Sequence, residues 1–348
     1  MIDTLTANAD KTEQQDRPTA ESLQAAREAG AFALGTPLAY GGRGAGATEA
    51  ARLLTELGRA CPSTSWIAGT CLTGKVLAST LADYSDSVRQ ELFGDPDALF
   101  CGSGTPGGAG TSGPGGVRVT GRWASVSGCE DAEWACLGVM VDGTFSIMMV
   151  PTDRLTIART WSMAGMRGTG SHTVVAEDVL VPAANVAAFQ FPSGGVQQLF
   201  GLTVLGPVVG ATFGALDVVN AMFASDRKPY MTQYNRMNES PGARHWLAEA
   251  TTLAQRAERT MLAVAGELDS GAGPTAADSS RRRLNLTEAA RDCRAAVDRM
   301  LDLHGASGFQ TANPLQRFWR DVAVGSRHPQ LNGYLATEDY GRLVSGAA

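Results

Sequence analysis

The chain has 348 residues, which at about 150 residues per domain predicts two domains or one large one with an insertion. Hydrophobic residues make up 44% and charged residues 18%, and the 41 glycines follow no Gly-X-Y period, which excludes disorder, a coiled coil and collagen. The net charge of −6, with no basic run longer than Arg281–Arg283, argues against nucleic acid or a membrane surface as partner. From the N-terminus, Met1–Pro18 is polar, lacks the apolar core of a signal peptide and offers little for a full first helix, so a cytoplasmic location and a short N-terminal block are expected. Thr19–Gly30 carries helix formers closed by a glycine, Ala47–Ala60 spaces its leucines at i, i+3 and i+4, and Ser63–Ala82 and Ser85–Phe93 continue that style. Pro37–Gly46 reads as a turn.

From Ala98 to about Val181 the period falls to two and β-branched and aromatic residues rise, which predicts short strands in a small antiparallel barrel or sandwich. Helical patterning resumes after Pro182, through Leu199–Ala224, Pro241–Leu268, Ser279–Gly305 and Pro314–Gly325, with a short last helix at Tyr334–Val344. Asp269–Asp278 reads as the loop between two long antiparallel helices. The apolar run Leu199–Leu216 is interrupted by Gly, Thr and Pro, which favours a buried helix over a membrane span. The chain is therefore read as α+β in three blocks: helical domain 1–97, β domain 98–190 and helical bundle 191–348.

Six cysteines (61, 71, 101, 129, 136 and 293) show neither C-x-x-C nor zinc-finger spacing and read as small buried hydrophobes, with no metal expected. Gly102–Gly107 satisfies G-x-G-x-x-G, but it runs into Gly108–Gly116 and not into a helix that would offer its N-terminus to a pyrophosphate, so it reads as a flexible loop. Gly69–Lys75 (GTCLTGK) has the glycine and lysine of a P-loop; Val76 stands where magnesium needs Ser or Thr, and the segment lies inside helical patterning. There is no H-E-x-x-H and no G-x-S-x-G, and the four histidines (172, 245, 304 and 328) are far apart in sequence; His172 reads as a surface neighbour of Ser171, and His245 and His304 as helix or turn residues.

The block order and four strings resemble the acyl-CoA dehydrogenase superfamily over almost the whole chain. The strings are Pro37–Gly42 (PLAYGG), Arg118–Gly128 (RVTGRWASVSG), Thr160–Ser171 (TWSMAGMRGTGS) with Asp178–Pro182 as exit strand, and His304–Asp321 (HGASGFQTANPLQRFWRD). The resemblance implies a fold of N-terminal helical domain, small β-barrel and four-helix bundle. Dehydrogenases of that family remove an acyl-thioester proton with a glutamate eight or nine residues after the Arg of the Arg-Asp pair, a place held here by His328-Pro329. The family's alternative place for the base, at the start of the helix that opens the bundle, falls near Leu199-Phe200; no carboxylate lies between Asp321 and Glu338, nor between Asp178 and Asp217, so both places lack one.

A histidine there, with the T-G-S string and an upstream Trp, resembles the two-component flavin monooxygenase branch. That branch takes reduced FMN or FAD from a separate NAD(P)H:flavin reductase and uses O2, through a C4a-hydroperoxide, to oxidise small aromatic, amine or sulfur compounds. The missing nicotinamide site agrees with an outside electron supply. The resemblance implies His328 and Ser171 as catalytic donors. It implies flavin contacts from Trp123, Ser125, Ser127, Trp161 and Thr169, and phosphate contacts from Arg227, Gln310 and Arg317. It also implies a homotetramer or homodimer. On the residues alone, Trp123 also reads as core, His328 as a helix-end cap, and Arg320 with Asp321 as a structural ion pair. Two other readings stand beside it: an acyl-CoA or acyl-carrier dehydrogenase with a relocated base such as Glu239, and a non-redox binding or scaffold protein.

Overall fold

The computed structural model describes residues 1–190, 195–271, 273 and 275–346. The expected boundary at 190/191 and part of the 269–278 loop fall at residues 191–194, 272 and 274, outside the described residues. Helices occupy the N- and C-terminal parts of the chain and a seven-stranded sheet lies between them in sequence. Contacts divide the chain into two compact units: the described residues of Met1–Gly46, Ser63–Met163 and Arg167–Ser193, and those of Ala47–Pro62, Ala164–Met166 and Gly194–Ala348.

In the first unit, α1 (Ile2–Gln14) is a full helix where the polar composition promised little. It docks through one line of small contacts, Leu5, Ala9 and Thr12, a stripe too narrow to register as hydrophobic. α2 (Ala20–Glu28) starts where the Thr19 hydroxyl accepts the Ser22 N–H at 3.1 Å. The P-loop-like string lies in a helix (Pro62–Val76) whose Lys75 is fully buried; its ammonium donates to the carbonyls of Phe32 (2.8 Å) and Pro96 (2.7 Å) and to Thr36 Oγ1 (2.8 Å). That lysine is a structural tie between chain segments, with no phosphate role.

The strands are β1 (Phe100–Gly113), β2 (Gly116–Val126), β3 (Trp134–Val141), β4 (Thr144–Pro151), β5 (Thr156–Ala158), β6 (His172–Val181) and β7 (Val186–Ala188), in the order β5-β6-β2-β1-β3-β4-β7. All pairs are antiparallel except β1 with β3, so the all-antiparallel expectation is corrected at one pairing. A second correction concerns Gly102–Gly107, which is not a flexible loop but part of β1. Its glycines make room for an indole: a Cβ on Gly107 or Gly108 would stand 2.6 or 2.8 Å from Trp123 ring atoms, and one on Gly121 2.6 Å. The Trp123 N–H donates to the Gly138 carbonyl at 2.6 Å.

The second unit is built around α6, counted here after α3 (Ala47–Ala60), α4 (the Pro62–Val76 helix) and α5 (Asp86–Leu92). α6 (Val196–Ala224) packs against α3, α7 (Pro241–Asp269), α8 (Ala276–His304) and α9 (Pro314–Gly325); α10 (Gly333–Ser345) lies on α8. Glycines 206, 210 and 214, four apart, form a smooth ridge on α6: a Cβ on Gly210 would meet the Thr55 carbonyl of α3 at 2.3 Å, and one on Gly214 the Arg59 carbonyl at 2.5 Å. The Asp269 carboxylate caps α3 by accepting the Ala47 and Thr48 N–H groups at 2.6 and 2.9 Å. Among the described residues α6 alone is long and apolar enough to cross a membrane, but 89% of its most apolar stretch is buried inside the protein, as in a core helix. All six cysteines are buried and unbridged, and burial pushes the Cys136 and Cys293 thiols up to about 12.

Candidate active site

In the first unit, the end of β2 and the start of β6 lie side by side. Val126 pairs with His172, and the Gly128 N–H donates to the Thr169 carbonyl at 2.9 Å. This register lines up three buried hydroxyls, with Ser127 Oγ 2.7 Å from Ser171 Oγ and Ser171 Oγ 2.7 Å from Thr169 Oγ1. A hydroxyl can both donate and accept, so Ser171 at the middle of the chain is oriented from both sides. Three of the residues chosen from the sequence therefore meet. Just upstream the β2–β6 register slips between Trp123 and Val126, and Ser125 adopts φ 60° with its side chain exposed. A non-glycine residue in the left-handed region at a bulge is turned out of the sheet, the arrangement by which strands re-aim a side chain.

Trp123 does not join them. It is 1% exposed inside its glycine socket and offers no face to a ligand, so the flavin contact expected of it is withdrawn in favour of a core role. Trp161 is half-buried in the loop before β6, and its backbone N–H donates to His172 Nδ1 at 3.1 Å. His172 is no surface neighbour: it is 2% exposed, and its Nε2 lies 3.5 Å from Glu130 Oε2. Burial is the main influence lowering its pKa, against the opposing pull of Glu130, so the ring is neutral at pH 7. The only signal in the sequence was its place directly after the turn that carries Ser171.

In the second unit, His328 follows α9 and opens a single turn of helix at Pro329–Leu331. Its Nδ1 accepts the Gln330 N–H at 3.3 Å. The expected titration near neutrality is corrected, because burial pushes its pKa down to about 4. At pH 7 the imidazole is neutral, and with Nδ1 accepting, its proton sits on Nε2. His328 is thus a hydrogen-bond donor of fixed tautomer and a weak base.

Arg227, after α6, is anchored to the C-terminal end of α8: its guanidinium lies 3.2 Å from both ring nitrogens of His304 and 2.9 Å from Ser307 Oγ. Asn313 Nδ2 completes the group, 3.2 Å from His304 Nε2. His304, read as an isolated turn residue, is therefore the hub of a polar cluster. Gln310 lies exposed in the same 305–313 turn, so the fold brings it into the segment that Arg227 grips. Arg317 is different: it is 7% exposed within α9, where burial lowers its pKa against the pull of Asp321, and the phosphate contact expected of it is corrected to a core role. Arg320 and Asp321 grip backbone, with Asp321 accepting the Met166 N–H and Arg320 donating to the Ala164 carbonyl. Gly165 leaves room for this, since a Cβ there would meet the Arg320 carbonyl at 2.1 Å.

Family models for the acyl-CoA dehydrogenase N-terminal domain and the acyl-CoA dehydrogenase C-terminal domain match residues 2–90 and 202–333, and the chain belongs to the acyl-CoA dehydrogenase family. Within that family it is a flavin-dependent monooxygenase. It is 31% identical to the flavin-dependent monooxygenase oxygenase subunit HsaA of Rhodococcus jostii RHA1, over 94% of this chain and 92% of that one. It is 30% identical to the oxygenase component of the FADH2-dependent resorcinol hydroxylase of Rhizobium sp. MTP-10005, over 95% and 89%. XiaF from Streptomyces sp., solved with FADH2 and glycerol, superposes with a TM-score of 0.93 at 27% identity, covering 100% of this chain and 93% of that one.

Proposed function

We propose that this protein is the oxygenase component of a two-component system, taking reduced FMN or FAD from a separate NAD(P)H:flavin reductase and using O2 to hydroxylate a small aromatic metabolite, as a homotetramer or homodimer. The observation that carries the reading is a neutral His328 at the place where the family's dehydrogenases hold a carboxylate. With its pKa near 4 the ring is too weak a base to take a C–H proton, and its Nε2–H is suited to donate. The relocated-base alternative finds no support at Glu239, an exposed residue whose carboxylate accepts the Asn235 N–H at 2.8 Å inside its own turn.

The residues present fit a flavin. Ser125 is turned outward at the bulge, and Ser171 is oriented by two hydroxyls, so the first unit offers uncharged donors of the kind that suit the polar edge of a neutral ring system. A reduced flavin, when bound, supplies the electrons that activate dioxygen. Ser125, Ser127, Ser171 and Thr169 would hold its polar edge. Trp161 would shield it from water, and in the second unit anchored Arg227 with exposed Gln310 offers a cation and a donor of the kind a phosphate takes. In the second unit, His328 would donate from Nε2 to an oxygen of the substrate. Relatives named for resorcinol and p-hydroxyphenylacetate set the first compounds to try.

The test supplies purified protein with reduced FMN or FAD, isotopically labelled dioxygen and a panel of phenols, and follows label in the product by mass spectrometry. Label in the product, with His328→Ala lowering its yield about 100-fold, is the expected result. Anaerobic bleaching of bound oxidised flavin by an acyl thioester would overturn the proposal in favour of a dehydrogenase.

A further inference from the structure

We infer that His172 is a positioning residue for the loop 159–171, holding Trp161 in place through its unprotonated Nδ1; as a statement about the reaction, this rests on the reading of that loop as the flavin edge. Four residues of the first unit form the device. Arg159, at the start of the loop, makes a two-pronged ion pair with Glu130 at 2.9 and 2.8 Å. Glu130 Oε2 stands 3.5 Å from His172 Nε2, and His172 Nδ1 accepts the Trp161 N–H at 3.1 Å. The histidine is thus held by a hydrogen bond at Nδ1, while its buried Nε2 makes no hydrogen bond and only faces the Glu130 carboxylate, and each of the first three residues of the loop is tied, Thr160 through its Oγ1 2.7 Å from Thr173 Oγ1.

Why a histidine is needed follows from the backbone. Trp161 lies outside any strand, so its amide has no ladder partner, and a backbone N–H left unsatisfied in a half-buried loop costs about as much as a lost hydrogen bond. The acceptor here is a side chain, the unprotonated Nδ1 of a neutral imidazole whose Nε2–H faces the Glu130 carboxylate. His172 is also the residue next to Ser171 and pairs with Val126 across from Ser127. The side chain that fixes Trp161 therefore sits on the backbone that fixes the hydroxyl chain, and one residue sets two walls of the proposed flavin site.

The test compares wild type, His172→Leu, which keeps bulk but has no acceptor, and His172→Asn, whose Oδ1 stands where Nδ1 stood. Two quantities are read: amide hydrogen exchange at Trp161 in protein without flavin, and the fraction of reduced flavin consumed as hydrogen peroxide and not as hydroxylated phenol. The Leu variant is expected to exchange Trp161 about fivefold faster and to release several-fold more peroxide, with Asn restoring both. Unchanged exchange at Trp161 in the Leu variant overturns the inference, and so does faster exchange with unchanged peroxide release. Should the Leu variant fail to fold, the 15N shifts of the wild-type ring decide: a protonated Nδ1 at neutral pH overturns the inference, and an unprotonated Nδ1 with protonated Nε2 supports it. Wild-type binding of reduced flavin is measured first. A wild type that binds none brings down the functional reading, while exchange at Trp161 still decides whether His172 holds the loop.

Discussion

The sheet-containing unit and the helical unit both use glycine to bring groups closer than a Cβ allows, but they admit different things. In β1 and β2 the glycines clear a space for a side chain, the Trp123 indole. In α6 they clear a space for backbone, the carbonyls of α3. The units also share a device: each holds one neutral histidine whose Nδ1 accepts a backbone N–H, His172 from Trp161 and His328 from Gln330. The difference lies in what each ring does with Nε2. His172 turns it to the half-buried Glu130 carboxylate, whose charge opposes the lowering of its pKa, whereas the pKa of His328 is lowered by burial. The same side chain thus sits in two different electrostatic settings, one beside a carboxylate and one set by burial.

The comparison can be broken experimentally. The largest effect is expected from Trp123→Ala, which empties the glycine socket and should cost about 3–5 kcal/mol in urea unfolding. A loss below 1 kcal/mol would mean that the indole is not core and would return Trp123 to the flavin contacts. Gly210→Ala should cost about 1–2 kcal/mol, because backbone at 2.3 Å gives way less easily than a side chain and the added helix propensity offsets only part of the strain.

Acid sharpens the histidine half. With an ordinary value of 6.5 and a folded value of about 4, His328 binds protons more readily in the unfolded chain between those limits, so its contribution to stability falls as pH drops from about 6.5 to about 4. His328→Asn, which keeps an acceptor for the Gln330 N–H, should flatten that part of the pH profile by about 1–2 kcal/mol, measured as the difference between the two urea midpoints. The smallest change belongs to Arg59→Ala, which breaks an exposed ion pair with Asp217 whose two side chains are 53% and 46% exposed; a shift within about 0.5 kcal/mol is expected, and a larger one would mean that the α3–α6 contact depends on charge as well as on the glycine ridge.

How far each site could be read in advance depended on the range of the forces involved. The meeting of Ser127, Ser171 and Thr169 follows from short strings with fixed local spacing, and the position of His328 after α9 from its set distance to Arg320 and Asp321 in a continuous helix and turn. Trp123 and Arg317 carried the same kind of local signal and proved to be core, since what covers a side chain comes from other segments: Gly107, Gly108 and Gly138 for the indole, and the packing of α9 for the guanidinium. His172 and His304 were passed over because their partners, Glu130 and Arg227, are 42 and 77 residues away in the chain.

The sequence by itself determined the order of helical, β and helical segments, the helix spans from Thr19 onward to within a few residues, the family, and the exchange of a carboxylate for His328, because periodicity, capping and motif spacing are properties of neighbouring residues. Only the tertiary structure decided that the glycine string is a strand, that α1 exists, that Trp123 and Arg317 are buried, and that His172 and His328 are neutral. Burial and hydrogen-bond partners are set by segments far apart in the chain, and it is burial that moves a histidine's pKa and closes a tryptophan off from a ligand.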